Sequence, residues 1–385
     1  DGDKVIIKIT GWPEKANNPI AKVENVLGPS GNHQVEMHAI LYEFGLPFEF
    51  PENVKKASAS IAEGIDDKEI SKRWDFRKTT TFTIDPVDAK DFDDALSVEF
   101  LESGKYRIGV HIADVSHYVR PGSVIDKEAY ERSTSVYLVD RVVPMLPEIL
   151  SNVVCSLRPN EDKLTYSAVF EMDNNANIEK VWIGRTVIHS DRRFTYDQAQ
   201  KIIEEGEGDY KKEVLLLDKL AKLLRKKRYS QGAIDFGGVE VRFKLDDKGF
   251  PIGINKKEMK DSNRLIEEFM LLANQHVAKS VGKVSKPQTP KPFVYRIHDK
   301  PDPQKLEQLG NYVAKFGYRI DKINGKNAAG AINKLMHAAK GQPEEDLIAT
   351  MAIRSMAKAV YSTHNIGHYG LAFDYYSHFT SPIRR

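Results

Sequence analysis

Thr83-Ile84-Asp85-Pro86-Val87-Asp88-Ala89-Lys90-Asp91-Phe92-Asp93-Asp94-Ala95-Leu96 sets five carboxylates within ten residues. An apolar strand, residues 80–84, leads in, and Ala95-Leu96-Ser97-Val98 leads out. Like charges this close are costly to bury unless a cation offsets them. Mg2+ suits such a set because it takes oxygen ligands in an octahedron and leaves positions for water and phosphate. One or two such ions can serve phosphodiester hydrolysis. A solvated acidic loop stays open as a reading of these residues alone. An EF-hand loop does not fit: counted from Asp91, the fifth position is Ala95 and the sixth is Leu96, where glycine is needed. Asp91-Phe92-Asp93 could be the Asp-x-Asp of a sugar-nucleotide transferase, a tripeptide of little specificity. A phosphatase forming an aspartyl-phosphate would want its Asp-x-Asp straight after the strand, where Asp85-Pro86-Val87-Asp88 stands.

Working outward, alternation and turn residues predict strands at 4–10, 21–27, 80–84, 96–100, 106–112, 166–172, 178–188 and 239–245. Helices are expected at 53–73, 209–228, 261–281, 303–317 and 345–363. In the last, Ile348, Met351, Ala352, Ser355, Met356, Ala359 and Val360 follow the 3.6-residue spacing of one buried face. Strands first and helices later predict an α+β fold rather than an alternating parallel sheet. The opening strands are too few to bury a core, so residues 1–47 read as the end of a small β-domain and linker, and 48–385 as the main domain.

The 385 residues carry a net charge of only +2, so any basic surface is local. One cysteine, Cys155, excludes an internal disulfide and reads as a buried apolar residue. No apolar run is long enough for a membrane helix and no signal peptide opens the chain, so a cytoplasmic protein without membrane partners is expected. The start at Asp1 without methionine and the stop at Arg385 lead us to expect a fragment of a longer protein.

The aspartate stretch resembles the catalytic signature of the ribonuclease II and ribonuclease R family, Thr-Ile-Asp-x5-Asp-Phe-Asp-Asp-Ala-Leu-Ser. Further blocks resemble the family in order: His111-Ile112-Ala113-Asp114-Val115-Ser116-His117-Tyr118-Val119, Val143-Pro144-Met145-Leu146-Pro147 and Cys155-Ser156-Leu157-Arg158-Pro159-Asn160. Then come Leu265-Ile266-Glu267-Glu268-Phe269-Met270, Arg296-Ile297-His298-Asp299-Lys300-Pro301, Gly367-His368-Tyr369-Gly370-Leu371-Ala372 and His378-Phe379-Thr380-Ser381-Pro382-Ile383-Arg384-Arg385. In detail the likeness is nearer ribonuclease R. It implies an RNB-type α+β catalytic domain, a mixed sheet with flanking helices, preceded by the end of a cold-shock (OB-type) β-barrel. OB folds bind single strands by stacking and backbone tracking.

The resemblance implies a processive, hydrolytic 3′-to-5′ exoribonuclease that releases nucleoside 5′-monophosphates, monomeric and without a small-molecule cofactor. It assigns Asp85, Asp91, Asp93 and Asp94 to a site for Mg2+, with Mn2+ the alternative, and leaves Asp88 outside. Arg384 becomes the electrostatic partner of the scissile phosphate, a role suited to a guanidinium, with Arg385 beside it. Tyr137 matches an aromatic that clamps the terminal base; Phe243 is the other jaw or a core residue. Tyr196 and Glu267 or Glu268 match readers of the ribose 2′-hydroxyl, the group that separates RNA from DNA; a solvated glutamate pair is the plain alternative.

His111, Asp114 and His117 have metal-ligand spacing, but a strand running into a loop would not make them converge, so zinc is not expected. His298 reads as structural or phosphate-contacting. The basic run Lys222, Arg225, Lys226, Lys227 and Arg228 reads as a helix C-terminus facing water. The alternatives to the exoribonuclease are an RNA-binding relative without catalysis and another Mg2+-dependent phosphohydrolase.

Overall fold

The computed structural model describes residues 2–47, 49–61, 64–235, 239–246, 250–284, 289–319 and 328–384, with backbone alone for 239–242 and 255–258. At its centre is a seven-stranded mixed sheet, ordered Arg192–Thr195, Thr80–Asp85, Asp94–Phe100, Tyr106–Ala113, Glu161–Met172, Ile178–Ser190, Trp74–Asp75. The two outermost pairings are parallel and the inner ones antiparallel.

Alternation in the sequence decides which face each residue takes. Phe82, Ile84, Leu96, Val98, Ile108, Val110, Ala168 and Phe170 point to one side, under the helices Tyr196–Glu205, Lys211–Ser230 and Asp261–Gly282. The opposite face contributes Ala95, Ala113, Val169 and Ile188 to a second core with Val115, Ile125, Leu146, Leu150, Leu157 and Ile383. A third core lies among the helices Pro303–Val313, Ala328–Ala339 and Glu345–Ser355. This is the expected α+β layout.

One detail of the register creates the site. Thr80–Asp85 pairs with Asp94–Phe100 only through Thr80↔Val98, Thr81↔Ser97 and Phe82↔Leu96. Beyond Phe82 the two strands part, and Thr83 to Asp85 pair instead with Arg193 to Thr195. Residues 86–93 fill the gap between them, so the strand ends that carry Asp85 and Asp94 border the opening, each still paired on its other edge, with Thr195 and Ile112.

At the N-terminus, Asp3–Gly11 and Ile20–Pro29 form the expected antiparallel pair, with Val5, Ile7, Ile9, Val23 and Val26 exposed. The helix His33–Glu43 that follows, capped by Asn32, was not expected. Its apolar residues do not gather on one face, so periodicity gave no signal.

Two expected helices are corrected. The stretch 53–73 holds Glu52–Ala59 and a separate turn, Asp67–Ile70, restarted by the Asp66 cap. The helix expected at 345–363 stops at Ser355, whose hydroxyl donates back to the Ala352 carbonyl at 2.7 Å, and Met356 turns extended. Val360–Ser362 then pairs with Tyr295–Ile297. The β-branched and aromatic residues there outweigh an apolar spacing that continued by coincidence.

Candidate active site

The signature loop is stapled before it is charged. The Phe92 amide donates to Ser156 Oγ at 2.9 Å, the Ser156 hydroxyl donates to the Lys90 carbonyl at 3.2 Å, and the Leu157 amide donates to the Phe92 carbonyl at 2.9 Å. From the sheet edge Arg193 donates to the Pro86 carbonyl, and to that of Val87 at 3.1 Å, with its guanidinium 5.5 Å from the Phe92 ring centre. The Cys155–Asn160 block therefore has a structural task, fixing the loop between Asp85 and Asp91. Arg193 was missed in the sequence, since nothing local marks an arginine that works through carbonyls more than 100 positions away.

Arg384 reaches the same loop from the far end of the chain. Ile383 is buried in the second core. The Arg384 carbonyl accepts from the Ser135 amide at 2.9 Å and the Thr134 hydroxyl at 3.0 Å. So anchored, its Nε lies 3.0 Å from Oδ2 of both Asp91 and Asp93. Arg385 lies outside the described residues. Asp88 is exposed, as expected.

The other oxygens are left wanting. Asp85 Oδ2 and Asp93 Oδ1 are buried and have no hydrogen-bond partner; the Thr83 and Ser381 hydroxyls lie beside them without reaching bonding geometry. Burial pushes Asp85 up to about 6, against the pull of Arg193 and Arg384. Burial pushes Asp93 up to about 7, with Asp91 and Asp94 adding repulsion. Asp94 rises to about 7, again through burial first and then Asp85. An all-oxygen set with orphaned buried atoms fits a hard divalent cation. As they stand, no three such groups among the described residues converge on one point; the Arg384 guanidinium lies between Asp91 and Asp93.

These shifts give a pH dependence. In the fold, the three carboxylates titrate above their ordinary range, so the stability they contribute is present below about pH 4 and lost as pH rises through about 6 to 7. Divalent binding needs them ionised and therefore changes in the opposite sense. Mn2+ affinity by titration calorimetry is expected to rise steeply from about pH 5.5 and level off above about pH 8. An affinity flat across that window would contradict the burial argument.

The two tyrosines stand beside the cluster. Tyr137, on a short strand, is raised by burial, with Arg384, Asp91 and Asp93 acting on it. Tyr196, the first residue of its helix, is raised by burial and by Asp94 and Asp85.

A family model described as the RNB domain matches residues 73–385, and one described as a cold shock domain matches 1–51. The chain belongs to the RNB domain family. It is 39% identical to a ribonuclease R of Aquifex aeolicus, over all of this chain and 55% of that protein. Mycoplasma genitalium RNase R, solved with ribose-methylated single-stranded RNA, superposes at TM-score 0.89 and 30% identity, over 100% of this chain and 60% of that one. Yeast Ssd1, described as a pseudonuclease, shares the fold at TM-score 0.74 and 19% identity, over 100% of this chain and 48% of its own. The chain spans about half the length of the curated relatives it matches.

Within this RNB domain the two glutamates differ. Glu268 is buried and ion-paired with Arg228, whose Nε donates to it at 3.3 Å. Glu267 is exposed and, among the described residues, has no side-chain hydrogen bond. The alternative of a solvated pair therefore fails for Glu268, because an arginine from the neighbouring helix covers it. Glu268→Gln would leave Arg228 as a buried uncompensated charge, and a loss of about 3 kcal/mol is expected in urea unfolding. A loss below about 1 kcal/mol would show that the pair contributes little.

The same contact corrects the reading of the basic run as water-facing for Arg225, Lys227 and Arg228, whereas Lys222 and Lys226 are exposed as expected. Arg228 is buried, Arg225 pairs with Asp235 at 3.0 Å, and Lys227 donates to the Asn175 and Ala176 carbonyls at 2.8 and 2.9 Å. His111 lies buried between Ser97 and Ser167, pushed by burial down to about 3, and Asp114 pairs with Arg73 at 2.8 Å, so the His-Asp-His spacing does not converge. His298 is structural: it accepts from the Gly370 amide and donates to the Ala357 carbonyl, both at 2.9 Å. Phe243 sits on the hairpin Val239–Leu245 with Pro251–Glu258, 55% exposed, so core packing is excluded for it. Among the described residues, no bond or ring contact ties it to the aspartates.

Among the described residues, no helix is long and apolar enough to cross a membrane.

Proposed function

We propose that this chain is the catalytic part of a 3′-to-5′ exoribonuclease that hydrolyses single-stranded RNA processively to nucleoside 5′-monophosphates, acting as a cytoplasmic monomer. The observation that carries this is one anchored guanidinium, Arg384, held between Asp91 and Asp93 at the opening between two parting strands, with the buried Asp85 and Asp94 at the strand ends within its influence. The names of the relatives, ribonuclease R among them, support the substrate class.

The four aspartates would hold Mg2+ or Mn2+. Such an ion supplies an activated water and stabilises the leaving oxygen. Asp93 joins the two halves of the site: Oδ2 faces Arg384 and Oδ1 is unsatisfied. Arg384 offers its remaining donors to the non-bridging oxygens of the scissile phosphate as charge builds there. Tyr137, 55% exposed, provides a face on which any terminal base can stack. Tyr196 and Glu267 take the ribose 2′-hydroxyl; of the two glutamates Glu267 has the open carboxylate. Phe243 is the second jaw only if its hairpin closes on the cleft, and Arg385 a further phosphate contact.

The deciding experiment uses a 5′-labelled single-stranded RNA with and without Mg2+. A ladder shortening from the 3′ end only with metal supports the proposal. Binding without cleavage would favour a non-catalytic RNA-binding relative, and cleavage of other phosphoesters alone a different phosphohydrolase. Tyr137→Ala is expected to lengthen the final undigested product by one or more nucleotides on a sequencing gel; an unchanged end product would remove it as the terminal clamp.

A further inference from the structure

A chain of side chains leads away from the aspartates to an uncompensated cation. Asp94, Ile112 and Tyr166 are register partners across three adjacent strands. At the usual strand spacing, Tyr166 therefore lies about 10 Å from Asp94 along the same row. Its ring is 38% exposed and meets Phe379 edge-on at 5.9 Å. Asn274, buried in the helix Asp261–Gly282, accepts from the Phe379 amide at 2.7 Å and donates to the Tyr376 hydroxyl at 3.3 Å, fixing this segment against the helix. The next residue, His378, accepts from the Tyr361 hydroxyl at 2.7 Å. Tyr361 is 49% exposed, and Arg296, its partner on the neighbouring strand, sets its guanidinium 4.7 Å from the centre of that ring.

Arg296 is the unusual member. Among the described residues its guanidinium makes no hydrogen bond and no ion pair; the ring is its only partner. Its other neighbours, His298 and His368, are held below the ordinary histidine range, by burial first and in part by Arg296 itself. Asp299 and Glu267 act on His298 and Tyr376, groups on which Arg296 also acts. Neither pairs with the arginine. A guanidinium laid on an aromatic face is oriented yet keeps its fork of donors at the edge, a geometry suited to a phosphate.

We propose that Arg296, seated on Tyr361 and flanked by His378, is a phosphate-binding subsite for the RNA strand upstream of the scissile bond. Tyr166 and Phe379 line the way between it and the aspartates. This rests on the ribonuclease reading and adds to it a backbone contact outside the aspartate cluster, beyond the roughly 10 Å of strand spacing that separates Tyr166 from Asp94. Such a contact would hold long strands and miss a trinucleotide bound at the aspartates.

The test is fluorescence anisotropy of this chain with labelled oligouridylates of about three and about ten nucleotides, in EDTA, across a KCl series. For Arg296→Met the decamer is expected to bind about five- to tenfold more weakly. Its log–log salt slope should fall by about 0.7, the value for one phosphate on a single strand. Trinucleotide affinity is expected to stay unchanged. Arg296→Lys should restore the slope and only part of the affinity, and covers the case in which the methionine variant fails to fold. An unchanged decamer slope in both variants would overturn the subsite, as would an equal loss for both lengths. Failure of the wild-type chain to bind either oligonucleotide would instead sink the ribonuclease reading.

Discussion

Asp93→Asn is expected to lower kcat on single-stranded RNA by at least about a thousandfold while RNA affinity stays within about tenfold. The substitution keeps the shape of the side chain and removes its charge. That charge has two tasks in the proposed mechanism, balancing Arg384 through Oδ2 and offering Oδ1 to the cation. Losing both strikes a step that the rest of the RNA-binding surface does not carry. The fold is not expected to suffer. Burial holds Asp93 up at about 7, so at neutral pH its ionised form is a burden on the metal-free protein, and the amide relieves it. Thermal unfolding of the metal-free variant should therefore occur at the wild-type temperature or higher, and Mn2+ binding should weaken. Retained cleavage would remove Asp93 from the metal set. Lost cleavage together with a lowered melting temperature would mean that the residue acts through the fold.

How far the sequence reaches depends on the range of the interaction. The aspartate cluster was readable because its residues lie within ten positions and its flanks alternate strictly, as Phe82 and Ile84 against Thr81 and Thr83. The α+β layout was readable because strong strands precede strong helices. Arg193, Arg228 and Arg73 were not, since each works on a partner 40 or more residues away, and an arginine bound for the interior has the same letters around it as one bound for water. The helix expected at 345–363 shows the opposite failure: the spacing held through Val360, but strand pairing with Tyr295–Ile297 took the last residues. Glu267 and Glu268 were equivalent on a helical wheel, and only the neighbouring helix, through Arg228, separates them.

Arg384→Gln is expected to split two properties that usually fall together, lowering kcat by about a hundredfold or more while tightening divalent-cation binding. The catalytic loss follows from removing the guanidinium from the place where phosphate charge develops. The gain in metal affinity follows from the contacts seen here. Nε lies 3.0 Å from one oxygen each of Asp91 and Asp93, so in the metal-free protein the arginine holds the oxygens that a cation would use and adds a like charge beside it. Glutamine can do neither. Removing the guanidinium also lifts its downward pull on Asp85, Asp93 and Asp94, so the pH needed to ionise them should move upward. Mn2+ titrations at about pH 8.5, where the carboxylates are ionised in both proteins, isolate the competition from the titration. There the variant should bind severalfold more tightly; near pH 6 the advantage should shrink or reverse. Weaker binding at the higher pH would mean that Arg384 orders the carboxylates for the cation rather than competing with it, and the guanidinium would then have to be counted as part of the metal site's scaffold.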